Sequence, residues 1–166
     1  LSDEVRKSLK DTSVALGSMV KYRGAGTVEY VFDTDANQFY FLEVNTRLQV
    51  EHGVTEMVYG VDIVEMMLKL GSNDLAPLSE IEKTLTPHGH AIEARLYAED
   101  PAKNFRPSAG VVSTVNFVEQ DRQNIRIDTW IESGSQVSAL FDPMLAKLIA
   151  FAPSRDEALD KLSNML

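Results

Sequence analysis

Two runs rich in aromatic and β-branched side chains, residues 27–32 and 39–44, flank the polar turn set Asp33-Thr34-Asp35-Ala36-Asn37. These residue types suit a pleated surface, and Asp and Asn suit the turn between, so the pattern commits the chain to an antiparallel hairpin. A register centred on Ala36 sets Glu29 directly opposite Glu43. Like charges facing each other on a sheet repel. A divalent cation removes the conflict, and two carboxylates with Asn45 offer the hard oxygens that Mg²⁺ takes beside substrate phosphates. In another register Glu29 simply faces solvent.

The alternation continues beyond the hairpin. Glu43, Asn45, Arg47, Gln49 and Glu51 are spaced by two, while Leu42, Val44, Leu48 and Val50 fall between them, interrupted only by Thr46. If the backbone stays extended, the five polar residues share one face and the apolar residues anchor in a core. An amphipathic edge strand facing water has the same alternation. The polar set contains no lysine, and arginine and carboxamides are the side chains used for fixed, directional contacts to anions. Arg47 suits a bidentate anion contact and the charge of a transferring phosphate. Glu51, four residues on, fits either a general base or an ion-pair partner of Arg47. Arg95, with Glu93 and Glu99 nearby, either holds a second anion or makes a surface salt bridge worth at most about 1 kcal/mol.

The remaining pattern indicates an α+β fold, mainly antiparallel sheet flanked by helices. A helix is expected over residues 2–22, capped by Ser2 or Asp3 and stopped by Arg23-Gly24-Ala25-Gly26. After the hairpin comes a polar loop, then a helix over 62–70 ending at Gly71. Strands are expected at 90–97, 111–118, 125–131 and 144–151. The capping-box pattern Ser154-Arg155-Asp156-Glu157 opens a last helix over 158–166. His52, His88 and His90 lack ligand spacing and read as structural; Trp130 and the pair Met66-Met67 read as core packing. There is no Walker-type Gly-Lys-Ser/Thr loop and no serine nucleophile elbow.

The 166 residues carry a net charge of −9 with a pI near 4.8. That balance disfavours non-specific binding to nucleic acid or to an anionic membrane. The absence of cysteine excludes disulfides and thiolate metal sites and fits a reducing compartment. No apolar run approaches the roughly 18 to 20 residues of a membrane span, and the first residues lack signal-peptide character. A first residue other than Met, and a last helix that runs to the chain end, read as a segment of a longer protein.

The string Phe39-Tyr40-Phe41-Leu42-Glu43-Val44-Asn45-Thr46-Arg47-Leu48-Gln49-Val50-Glu51-His52 closely resembles the signature of the biotin carboxylase component of biotin-dependent carboxylases, in the ATP-grasp superfamily. Tyr22-Arg23-Gly24-Ala25-Gly26-Thr27-Val28-Glu29 matches the hairpin's first half. Gly89-His90-Ala91-Ile92-Glu93-Ala94-Arg95, Ala98-Glu99-Asp100-Pro101 and Phe141-Asp142-Pro143-Met144-Leu145-Ala146-Lys147-Leu148-Ile149 match later segments.

The resemblance implies the C-terminal portion of an ATP-grasp fold over 1–78, with the metal and bicarbonate site, and a biotin carboxylase C-terminal subdomain over 79–166. It implies that Glu29, Glu43 and Asn45 hold the metal ions on the ATP phosphates and that Arg47 acts at the reacting centre. Gln49 and Val50 would then help hold bicarbonate, Glu51 would deprotonate it, and Arg95 would bind near the biotin ureido group. By the same resemblance, ATP activates bicarbonate as carboxyphosphate and the released CO₂ is captured by biotin nitrogen.

The implied cofactors are ATP, Mg²⁺ or Mn²⁺, and biotin on a carrier domain. The implied partners are bicarbonate, the carrier domain and a carboxyltransferase domain on the same polypeptide, in the cytoplasm. No nucleic acid and no membrane are involved, and a homo-oligomer is left open. Most family members have Pro where this chain has Gly53. That residue, with Arg126-Ile127-Asp128-Thr129-Trp130, looks most like the urea carboxylase and urea amidolyase branch. Acyl-CoA, pyruvate or guanidine carboxylases are the alternatives, as is a non-catalytic assembly module. The family's nucleotide-type domain and glycine-rich lid precede the equivalent of Leu1, so the chain alone is expected to fold without turning over ATP.

Overall fold

The computed structural model describes residues 1–121 and 123–166. In order it runs α1 (Asp3–Met19), β1 (Thr27–Asp33), β2 (Gln38–Asn45), α2 (His52–Tyr59), α3 (Ile63–Gly71), α4 (Leu78–Thr84), β3 (His90–Tyr97), β4 (Glu99–Asp100), β5 (Arg106–Pro107), β6 (Gly110–Val111), β7 (Ile125–Thr129), β8 (Gln136–Val137), β9 (Met144–Ala152) and α5 (Arg155–Met165). The strand pairings are antiparallel, and the fold is α+β as expected. Two compact units form: Leu1–His52 with Asp62–Ile81, and Gly53–Val61 with Glu82–Leu166.

In the first unit, the Ser2 hydroxyl accepts the Val5 N–H at 3.3 Å, and Asp3 and Glu4 complement the N-terminal dipole of α1. The helix stops at Met19, short of the expected Tyr22, and Lys21 turns the chain in the left-handed region. It meets the hairpin through Ser13, whose hydroxyl lies 2.9 Å from that of Tyr30. Asp33 Oδ1 closes the hairpin turn by accepting the N–H groups of Asp35 and Ala36 at 2.9 and 3.0 Å. α3 begins where expected, with Asp62 Oδ1 accepting the Glu65 N–H at 2.7 Å.

The expected pairing of Glu29 with Glu43 is present, but by a different route. Next to the turn, Asp33 faces Gln38 and Tyr30 faces Phe41, so the hairpin is centred one half-step before Ala36. A bulge then leaves Leu42 without its own partner and restores Glu29 opposite Glu43. The apolar side of β2 does not anchor in a core: Leu42 is 56% and Val44 42% exposed. Met67 is also partly exposed, against the expectation of core packing.

In the second unit β9 lies between β3 and β7. One face presents Ala146, Leu148 and Ala150, which form the core with Leu162 of α5. The capping box at Ser154 and Glu157 is formed, and α5 starts at Arg155. The other face carries Lys147 and the fully buried Ile149, against which Gly53 of α2 packs so closely that a Cβ there would run into the Ile149 Cδ1.

Three expectations fail in this unit. The stretch after the hairpin, expected as loop, contains α2. The strand expected over 111–118 shrinks to the Gly110–Val111 pairing with β8, because a side chain intercepts the ladder: Ser133 Oγ takes the Val115 N–H at 2.9 Å. Trp130 is surface, 56% exposed, with its Nε1–H donating to the Met144 carbonyl at 2.8 Å.

Candidate active site

The first unit gathers its polar side chains on one carboxylate. Asn45 Nδ2 donates to Glu29 Oε1 at 2.6 Å and lies 3.4 Å from Glu43 Oε1, while Gln49 Nε2 donates to the same Glu29 oxygen at 3.1 Å. Ionised carboxylates only accept, so both amides must present nitrogen and turn their oxygens elsewhere. The amide donors thus relieve the repulsion between two acids placed directly opposite each other.

Two carboxylates and an amide that can rotate to offer its oxygen are a donor set a hard divalent cation accepts. Among the described residues no three His, Asp or Glu could hold an ion by themselves. A cation at Glu29 and Glu43 would therefore complete its shell from phosphates or water.

The extended face expected through Glu51 is cut short. β2 ends at Asn45, because Thr27, its partner there, is the first residue of β1 and nothing continues the ladder. Gln49 nevertheless returns to Glu29. Arg47 is exposed on the following loop, its Nη1 donating to the Leu48 carbonyl at 3.3 Å. Val50 is half-buried, and Glu51 is exposed at the entry to α2. Glu29, Glu43, Asn45 and Gln49 are thus brought together, whereas Arg47 and Glu51 sit on a loop rather than a shared strand face.

Arg95 belongs to the second unit, on β3. It is exposed, and its guanidinium carbon lies 5.6 Å from the centre of the Tyr97 ring. Close by in that unit is a charge network absent from the sequence reading. Arg126 forks Asp128, with Nε to Oδ1 and Nη2 to Oδ2 both at 2.8 Å, and its Nη1 reaches Glu56 Oε2 at 2.6 Å. Lys147 Nζ lies 3.1 Å from Asp128 Oδ2. Glu56 is 5% and Lys147 8% exposed.

Burial pushes the Asp128 carboxyl up, but hydrogen bonds from Arg126 and Lys147, with their charges, together hold it below the ordinary carboxylate range. The Arg126 guanidinium is held above its usual value by the hydrogen bond to Asp128, against burial. One signal in the sequence pointed here: Lys147 is the only charged residue in Met144–Ala152, and a buried lysine needs an acid.

Comparison with known proteins follows the two halves of the chain. Residues 1–80 match the family described as carbamoyl-phosphate synthase L chain, ATP binding domain, and residues 93–166 match the biotin carboxylase C-terminal domain. The chain is 46% identical over 166 residues to the urea amidolyase of Saccharomyces cerevisiae, covering all of this chain and 9% of that protein. It is 48% identical over 162 residues to the mitochondrial methylcrotonoyl-CoA carboxylase subunit alpha of Mus musculus, covering 98% of this chain and 22% of that one. The crystal structure of the Kluyveromyces lactis urea carboxylase superposes with a TM-score of 0.92 at 45% identity, over 99% of this chain and 14% of that chain. The chain therefore spans less than a quarter of the length of each of these relatives.

Proposed function

The chain belongs to the biotin carboxylase family, and on that premise we propose that it forms the metal and bicarbonate part of an enzyme that uses ATP and bicarbonate to carboxylate biotin. The observation that carries this reading is the opposed pair Glu29 and Glu43 with Asn45 and Gln49 drawn onto Glu29. Residues 1–78 act as the end of the ATP-grasp domain and 79–166 as the C-terminal subdomain.

Glu29, Glu43 and Asn45 hold Mg²⁺ or Mn²⁺, which when bound neutralises charge on the ATP phosphates. Gln49 and Val50 hold bicarbonate, and Glu51 takes its proton. A bicarbonate oxygen then attacks the γ-phosphorus of ATP as ADP leaves, and the Arg47 guanidinium meets the charge that develops on the transferring group. The carboxyphosphate so formed breaks its carboxyl C–O bond into CO₂ and inorganic phosphate. The phosphate takes the N–H proton of the biotin ureido group that Arg95 binds, and that nitrogen bonds the CO₂ carbon. Biotin arrives on a carrier domain, with a carboxyltransferase domain on the same polypeptide, and the reaction takes place in the cytoplasm.

Similarity to urea amidolyase and urea carboxylase supports urea as the final acceptor, giving allophanate. A second reading, an acyl-CoA acceptor, is supported by the 48% identity to the methylcrotonoyl-CoA carboxylase subunit.

The test is Glu43→Gln in the complete enzyme, followed by titration of Mg²⁺ in bicarbonate-dependent ATP hydrolysis. Loss of a ligand should raise the half-saturating Mg²⁺ concentration about tenfold or more. An unchanged Mg²⁺ requirement contradicts the metal role.

A further inference from the structure

Gln49 is assigned above to bicarbonate, yet the side chain it touches is a metal carboxylate. It lies past the end of β2, in the turn where its carbonyl accepts the His52 N–H at 3.3 Å. Half-buried there, it donates from Nε2 to Glu29 Oε1 at 3.1 Å, and Asn45 Nδ2 donates to the same oxygen at 2.6 Å. A carboxylate oxygen offers two lone pairs, so these two bonds fill Oε1. Among the described residues no group donates to Glu29 Oε2, which leaves that oxygen for a cation. Glu43, by contrast, is exposed and meets Asn45 Nδ2 at 3.4 Å. Glu29 is therefore held in place and Glu43 is loose.

A cation calls on the two amides differently. Asn45 offers its oxygen by rotating the carboxamide, a motion that carries Nδ2 off Glu29. Gln49 makes no such move: one amide hydrogen stays on Oε1, and the other, with the carbonyl oxygen, is left for bicarbonate. We propose that Gln49 is a positioning residue for the metal: its bond to Oε1 fixes the rotation of the Glu29 carboxylate so that Oε2 is presented to the cation. The proposal rests on reading Glu29 and Glu43 as metal ligands. Acting through Glu29, Gln49 matters to the cation before any bicarbonate is bound. A bicarbonate contact alone would leave the metal unaffected, and general damage to the loop would weaken whichever ligands remain.

The experiment titrates Mn²⁺ into the complete enzyme with ADP bound and bicarbonate absent, reading bound ion by the enhanced relaxation of water protons. Binding of ADP in EDTA reports that each variant is folded. Gln49→Met should raise the half-saturating Mn²⁺ concentration about tenfold, the order expected when a group that orients a metal ligand is lost. In a Glu29→Gln background the same change should add less than about twofold, whereas in Glu43→Gln it should again add about tenfold. If Gln49→Met does not fold, Gln49→Ala replaces it with the same expectation. A half-saturating Mn²⁺ unchanged by loss of the amide, or raised as much without the Glu29 carboxylate, overturns the positioning role. A Glu29→Gln enzyme that takes up Mn²⁺ as the wild type does instead overturns the metal reading beneath it.

Discussion

Replacing Arg126 by methionine removes the cation that sits between two acids in the second unit. Glu56 is 5% exposed and loses a partner at 2.6 Å, while Asp128 keeps Lys147 at 3.1 Å. Removing one member of a buried ion pair costs about 3–5 kcal/mol, because the other charge remains in a poorly solvated place. The Arg126 side chain is 25% exposed, so water can enter its vacated space, which points to the lower end, about 3 kcal/mol. Adding Glu56→Gln takes away the buried charge, and the double variant should lose only about 1–2 kcal/mol. The assay is urea denaturation followed by tryptophan fluorescence. Trp130 is the only tryptophan and lies in the unit that holds the network. A single-variant loss below about 1 kcal/mol, or a double variant at least as unstable as the single, would refute this electrostatic account.

Two further outcomes follow from the same unit. The Asp128 carboxyl is held below its ordinary value in the fold, so its contribution is present above the unfolded value of about 3.9 and is lost as pH falls through that range toward the folded value. Stability measured by urea denaturation should therefore decline on acidification below about pH 4, with a shallower slope in Asp128→Asn. Gly89 has φ +52°, and a Cβ there would stand 2.5 Å from the Ala152 carbonyl oxygen and 2.7 Å from Phe151 Cζ. Gly89→Ala should cost about 2–4 kcal/mol, and a loss below about 1 kcal/mol in the same assay would show that β9 can give way.

What the sequence disclosed was local. The hairpin, the Ser2 and Asp62 caps and the capping box at Ser154 are each written within a few neighbouring residues, where propensity and backbone chemistry act directly. The opposition of Glu29 to Glu43 was also legible, although the bulge at Leu42 that secures it was not, since a one-residue slip leaves no compositional mark. Helix α2 was missed because Gly53, Val54 and Thr55 favour no helix; its stability comes from Ile149 and from Arg126, which is 70 residues from Glu56. Trp130 was misplaced because an apolar ring suggests a core, while its indole N–H bond to Met144 holds it at the surface. The alternation through Glu51 misled in a similar way: a period of two describes a strand only where a partner strand exists, and here it runs out at Asn45.

The most direct measurement follows oxygen. With ¹⁸O-bicarbonate supplied to the complete enzyme, attack of a bicarbonate oxygen on the γ-phosphorus leaves that oxygen on phosphorus when CO₂ departs. If Glu29, Glu43 and Asn45 serve the ATP phosphates while Arg47, Gln49 and Glu51 serve bicarbonate, the inorganic phosphate released should carry one ¹⁸O per ATP consumed, and Arg47→Ala should lower both in step. Continued ATP hydrolysis that yields unlabelled phosphate would contradict bicarbonate activation at this site.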